Sequence, residues 1–204
     1  PTELASALGG DALLLRYGKW SLELNGESLK ALAGLRDDPG EVHLEIRMGE
    51  VAEDETEALF RKWDFGVGDQ VNVRPVGSAF DLAFQRMDGE ASEELEVLPV
   101  PVGLSLPAPD DADPDLLGIY RITEDGRLEY VGGELRNGVL SAKVTKPGRY
   151  VVLEYERSYS DVAESHWAYR AIRAASAKHL MNGMPDGSFA PGKAVTRAQL
   201  VAMV

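Results

Sequence analysis

The sequence contains no cysteine, which removes disulfide frameworks, thiol nucleophiles and cysteine-based zinc sites together. Histidine is scarce, at three in 204 residues, too few for a His-rich metal centre. No apolar run approaches the ~20 residues that a membrane-crossing helix needs, so no such span and no membrane insertion is expected. Basic charge is short as well: 21 Lys and Arg stand against 34 Asp and Glu, a net charge of −13. Nucleic-acid binding rests on Lys and Arg neutralising phosphates, and docking on anionic lipid needs the same sign of charge. Neither partner suits this chain. It opens Pro-Thr-Glu, without an initiating Met or a basic-then-apolar leader, so a piece of a longer protein is expected, with any signal peptide upstream.

What is present is the composition of a folded protein: 44% hydrophobic and 27% charged side chains argue against disorder. The length holds one large domain or two small ones. Charge is distributed unevenly along it. Positions 159–204 carry three acids (Asp161, Glu164, Asp186) and five bases (Arg170, Arg173, Lys178, Lys193, Arg197), a local balance of +2. The remainder holds 31 acids and 16 bases, a balance of −15. Such asymmetry predicts two units with different partners, the small one suited to an anionic ligand.

Residues 1–157 read mainly as strands. Val42, Leu44, Ile46 and Met48 alternate with His43, Glu45 and Arg47, the period of a half-buried strand. Trp20, Leu22 and Leu24 repeat the pattern, as do Val71 and Val73, then Phe80, Leu82 and Phe84. A longer alternation runs Leu98, Val100, Val102, Leu104, Leu106, and Pro99 and Pro101 on its other face predict an edge strand. Leu29, Leu32 and Leu35 predict a short helix over 27–35. From 118 to 155, Asp125-Gly126, Gly132-Gly133, Asn137-Gly138 and Pro147-Gly148 punctuate short apolar runs as in a meander. Together these predict an antiparallel β-sandwich or barrel, of which we take the sandwich.

The pattern changes at Ser158. Ala168, Ala171, Ile172 and Ala175 predict a helix within 165–183, with Gly183 at its left-handed C-terminal cap and His166 and His179 as helix residues rather than metal ligands. A turn-rich loop, 184–192, follows. Thr196 with Gln199 forms a capping box that opens a second helix, cut off at Val204.

Here the residues resemble a known family. Tyr159-Ser160-Asp161-Val162, His166-Trp167-Ala168, Ile172, Gly183, Asp186-Gly187-Ser188-Phe189, Pro191 and Val195-Thr196-Arg197-Ala198-Gln199 look like one S-layer homology (SLH) repeat over about 46 residues. Departures are mild: Tyr159 replaces the usual Phe, Ser188 a common Thr, and Gln199 the more frequent Glu. The resemblance implies attachment to a Gram-positive-type cell envelope, through secondary cell-wall polymers that commonly bear pyruvate ketals. It also implies further repeats, in cis or from other chains, because such repeats generally pack in threes with ligand grooves between neighbours.

The local chemistry fits that role. A helix N-terminus presents unpaired N–H groups and about half a positive charge. Arg197 in its first turn adds a planar fork that can grip a carboxylate through two charge-assisted hydrogen bonds. The candidate glycan contacts are therefore Arg197 and Thr196, with Trp167 as an apolar wall and Gly183, Asp186 and Ser188 in the turn. Each also has an ordinary structural reading. Arg197 is an exposed residue of a capped helix start, Trp167 seals a small core, Asp161 and Asp186 shape turns, and Gly183 and Gly187 serve the backbone.

Elsewhere the chemical motifs are weak. The run 111–115 begins like a calcium loop, but Leu116 stands where Gly is required and Ile122 where Glu is, so it reads as a solvated acidic loop. Gly66-Val67-Gly68 lacks the third glycine of a nucleotide loop. Nothing calls for a cofactor, and no catalytic motif stands out. The strand-rich part, through 101–106, 118–121, 130–133 and 148–152, is loosely similar to β-sandwich modules that precede SLH repeats in large surface proteins.

The expected architecture is an antiparallel β-sandwich at 1–157 followed by a helix–loop–helix SLH repeat at 158–204. The expected function is noncovalent, non-enzymatic anchoring of a secreted surface protein to anionic cell-wall glycan, with the sandwich as spacer or display module. Two alternatives remain. The sandwich is a carbohydrate-binding or adhesion module, with Trp63, Tyr120 and Tyr130 as candidates for an exposed aromatic row; or the chain belongs to a wall-anchored polysaccharide hydrolase whose catalytic domain lies outside it.

Overall fold

The computed structural model describes Leu8 and residues 11–34, 42–62, 70–89 and 91–197. Trp63, the Gly66-Val67-Gly68 turn, Leu35 and the second C-terminal helix beyond Arg197 lie outside them. In chain order the elements are β1 (Ala12–Tyr17), β2 (Trp20–Asn25), α1 (Gly26–Ala33), β3 (Val42–Val51), α2 (Glu53–Lys62), β4 (Val71–Pro75), β5 (Ala79–Asp88) and β6 (Ala91–Glu94). Then come β7 (Val102–Pro107), β8 (Leu117–Ile122), β9 (Leu128–Gly132), β10 (Glu134–Arg136), β11 (Val139–Val144), β12 (Gly148–Arg157) and α3 (Tyr169–Ala177).

The strands form two antiparallel sheets, one ordered β1-β2-β7-β11-β10, the other β3-β5-β12-β8-β9 with β4 beside β12 and β6 beside β5. The chain is thus a mainly β sandwich with a small helical C-terminal part. Period-two alternation explains the layer between the sheets. Trp20, Leu22 and Leu24 point inward from β2, Phe80, Leu82 and Phe84 from β5, and Leu104 and Leu106 from β7. Trp20 stacks on Phe80 with ring centroids 5.0 Å apart. Burying each such side chain contributes roughly 1.5–3 kcal/mol, which makes this layer the main source of stability.

The expected edge strand at 98–106 is corrected. The ladder begins only at Val102, after both prolines, and β7 lies inside its sheet between β2 and β11. Pro99 and Pro101 therefore forfeit no ladder hydrogen bond. The meander is corrected as well. β8, β9 and β12 belong to one sheet and β10 and β11 to the other, so the chain changes sheet twice between 132 and 148. Gly132 and Gly133, at φ 143° and 157°, make the first crossing, and Gly133 brings its Cα so close to β8 that a Cβ would lie 3.0 Å from the Gly118 Cα.

The second sheet is buried on both faces at its centre. Tyr150 and Val152 face the sandwich core, while Val151, Leu153 and Tyr155 join Tyr120, Ile122 and Ala79 in a second cluster on the outer face. A strand covered on both sides loses polar alternation, which accounts for the run Tyr-Val-Val-Leu at 150–153. Two helices cover this outer face, α2 through Phe60 and α3 through Ala177. Fully buried Thr56 ties α2 down: its hydroxyl donates to the Ala52 carbonyl at 3.0 Å and accepts the Ala79 N–H at 2.9 Å.

Candidate functional site

Past β12 the chain builds a small core of its own from Tyr159, Val162, Ala168 and Ile172, with Tyr169 and Phe189 against it. The Tyr159 ring meets Phe189 edge-on at 5.1 Å, and its hydroxyl lies 2.7 Å from the buried Ser176 Oγ. One aromatic residue thus joins the start of the segment, its helix and its loop. The His166 imidazole accepts the Ala168 N–H at 3.2 Å, just ahead of α3.

The helix is shorter than its periodicity suggests. It ends at Ala177, and the left-handed residue after it is His179, at φ 55°, not Gly183. His179 is accordingly outside the helix, as is His166. Gly183, at φ 67°, has a different task. A Cβ there would lie 2.3 Å from Cε1 of Tyr159 and 2.8 Å from the Ser188 carbonyl oxygen. The loop crosses the aromatic ring at this point, and only a residue without a side chain fits.

Carboxylates shape the rest of the loop. Asp161 accepts the backbone N–H groups of Phe189 and Ala190, each at 2.7 Å, and the Phe189 bond above all holds its carboxyl below the usual range. Asp186 accepts the Ser188 hydroxyl at 2.7 Å and the Ser188 N–H at 3.0 Å, which lowers its carboxyl in turn. The Gly187 carbonyl accepts from the Ser160 N–H at 3.2 Å and from the Gln70 amide at 3.3 Å. Gly183, Asp186 and Ser188 are therefore brought together, in one turn whose polar groups largely satisfy each other.

Arg197, Thr196 and Trp167 are exposed. Arg197 is solvent-exposed and itself helical, and no carboxylate among the described residues pairs with it. Thr196 beside it is exposed too. Trp167 is 91% exposed, and the His166 ring stacks near it at 5.7 Å. Its core-sealing reading is thereby overturned. Among the described residues no cluster of three or more His, Asp or Glu could hold a metal ion.

Sequence reasoning missed the contacts that seat this segment on the sandwich. Asp113, read as part of a solvated loop, binds Arg173 of α3 at 2.5 Å, and Arg173 also binds Glu156 at 2.7 Å. Burial pushes the Asp113 carboxyl up, but the hydrogen bonds from Arg173 and the Asp115 backbone outweigh it and leave the group below its ordinary value. The Lys178 ammonium donates to the carbonyls of Leu117 and Gly133, and burial lowers its proton affinity. Tyr120 and Tyr130 form no exposed aromatic row, because both pack against His179. The unbroken apolar run at 150–153 was the available signal that something covers this face.

Residues 158–201 match the S-layer homology domain family. The chain is also 26% identical over 144 residues, 69% of its length, to 7% of an amylopullulanase from Thermoanaerobacterium thermosulfurigenes. That match is longer than the 158–201 segment and so takes in strands before it. Over 46 residues, 22% of the chain, it is 46% identical to 2% of cell surface glycoprotein 1 and 39% identical to 10% of a cellulosome-anchoring protein, both of Acetivibrio thermocellus. The chain spans a tenth or less of the length of each of these curated relatives.

Proposed function

We propose, from the premise that residues 158–201 are an S-layer homology domain, that the chain tethers a surface protein noncovalently to an anionic, pyruvylated secondary polymer of a Gram-positive-type cell wall. The observation that supports this reading best is Arg197: an exposed guanidinium at a helix start, without a carboxylate partner among the described residues. A pyruvate ketal offers a carboxylate on a sugar ring, and a planar fork binds a carboxylate bidentately. Thr196 would add the helix end, Trp167 a face for the sugar, and the Gly183–Asp186–Ser188 turn polar contacts. In this reading residues 1–157 are a spacer or display module and 158–204 the anchoring repeat, completed by neighbouring repeats in cis or from other chains. Neither nucleic acid nor membrane insertion plays a part. The test is co-sedimentation of the parent polypeptide with purified cell walls. Arg197→Ala and chemical removal of pyruvate should each reduce retention at least tenfold; full retention in both cases would overturn the mechanism.

One observation favours a second, compatible reading. The likeness to an amylopullulanase extends beyond the repeat, which supports a polysaccharide hydrolase as the cargo held at the wall. The gene on both sides of this segment decides it: an encoded hydrolase domain supports the reading, and its absence removes it.

A further inference from the structure

We infer that the interface between α3 and the outer face of the second sheet is a pH-sensitive latch whose plug is the His179 imidazole, closed with the ring neutral and released on its protonation. The inference goes beyond anchoring and holds whatever the repeat binds.

The plug is built by an unusual backbone. His179 is a non-glycine residue at φ 55°, a conformation histidine adopts more readily than most. That turn sends the ring away from α3 and into three tyrosines on three strands. Ring centroids lie 4.6 Å away at Tyr155 of β12, 4.9 Å at Tyr130 of β9 and 5.7 Å at Tyr120 of β8, and the Tyr120 Oη is 2.9 Å from Nε2. Gly118 makes room for the socket, since a Cβ there would lie 2.8 Å from the Tyr120 ring and 2.9 Å from that of Tyr130. Beside the plug, Ala177 is fully buried and Lys178 caps the carbonyls of Leu117 in β8 and of Gly133 between β9 and β10.

Among the described residues, three neutral phenols and the Arg157 guanidinium face the ring. Burial raises all three phenols, so none is ionised near neutrality. The charged neighbour is Arg157 of β12, whose guanidinium lies over the Tyr159 ring at 5.5 Å and whose Nε is buried without a partner. Lys178, next in sequence, adds a second positive charge. Burial and then Arg157 hold the imidazole below its ordinary value. The sign follows: the released ring protonates more readily than the docked one, so the latch is fully closed above about pH 6.5 and weakens as pH falls below that value. The Arg173 clamp does not share this window, because its Asp113 partner titrates below the ordinary carboxylate range.

The test is amide hydrogen exchange of α3 and of the outer face of β8 and β12, at pH 7.5 and 5.0, corrected for intrinsic rates. In the intact chain, exchange should rise at pH 5.0 by up to about thirtyfold, the ceiling set by the roughly 1.5 pH units below the free imidazole's value. The rise should begin near pH 6.5 and level off at the docked ring's own titration followed by NMR. His179→Asn keeps a residue tolerant of the left-handed backbone; it should exchange fast at both pH values. Three results would overturn the latch: no pH response in the intact chain, greater protection at pH 5.0 (tyrosine faces stabilising the imidazolium), or an unchanged response in His179→Asn.

Discussion

Replacing Gly183 by Ala tests how tightly the repeat's loop is drawn across its core. Two costs add. An alanine held at φ 67° carries the left-handed penalty of roughly 1–2 kcal/mol. Its Cβ would also lie 2.3 Å from the Tyr159 ring and 2.8 Å from the Ser188 carbonyl, distances no real Cβ sustains. Tyr159 has little freedom to yield, since its ring is wedged against Phe189 and its hydroxyl meets Ser176. Overpacking of this kind costs about 1–3 kcal/mol. The expected loss is therefore about 2–5 kcal/mol in the local stability of the segment, read from urea titration followed at α3 amides by NMR. Gly192→Ala is the control, because nothing among the described residues lies within 4 Å of its Cβ position; it should stay within about 0.5 kcal/mol of the parent. Equal stability of the two variants would refute the reasoning.

Two further outcomes follow from buried and charged groups. Thr56→Val keeps the shape of a fully buried side chain but strands the Ala79 N–H, and calorimetric or urea unfolding should show a loss of about 1–3 kcal/mol. Asp161 and Asp186 have carboxyls lowered by bonds from Phe189 and Ser188 respectively, so the unfolded chain takes up protons first on acidification. Their contribution is complete above about pH 4 and is lost as pH falls through the folded values; Asp161→Asn should differ from the parent at pH 7 and converge with it in strong acid.

Local features were legible in the sequence and long-range partners were not. The inward faces of β2 and β5 followed from Trp20, Leu22, Leu24, Phe80, Leu82 and Phe84, because alternation is a property of neighbours. The hairpin at Asn137-Gly138 followed for the same reason, and both residues take positive φ, 50° and 74°. Alternation does not say which strand lies alongside, and so the sheet change at Gly132-Gly133 and the interior place of β7 were misread. In the repeat, Asp161 and Asp186 were legible as turn-formers because their partners lie in the same short loop system. The docking residues were not: Arg173 meets Asp113 and His179 meets Tyr120 across 60 and 59 positions. Gly183 was assigned to the end of a helix that stops at Ala177, since a glycine's need for positive φ is visible in sequence but the ring it must clear is not.

The central claim rests on one guanidinium, and its own resonance tests it most directly. The side-chain Nε–H signal of Arg197 should shift and sharpen when a pyruvylated wall-polymer fragment is titrated into the chain, and stay in place with the same fragment stripped of pyruvate. An unmoved Arg197 signal while the pyruvylated fragment binds elsewhere on the chain would contradict the account.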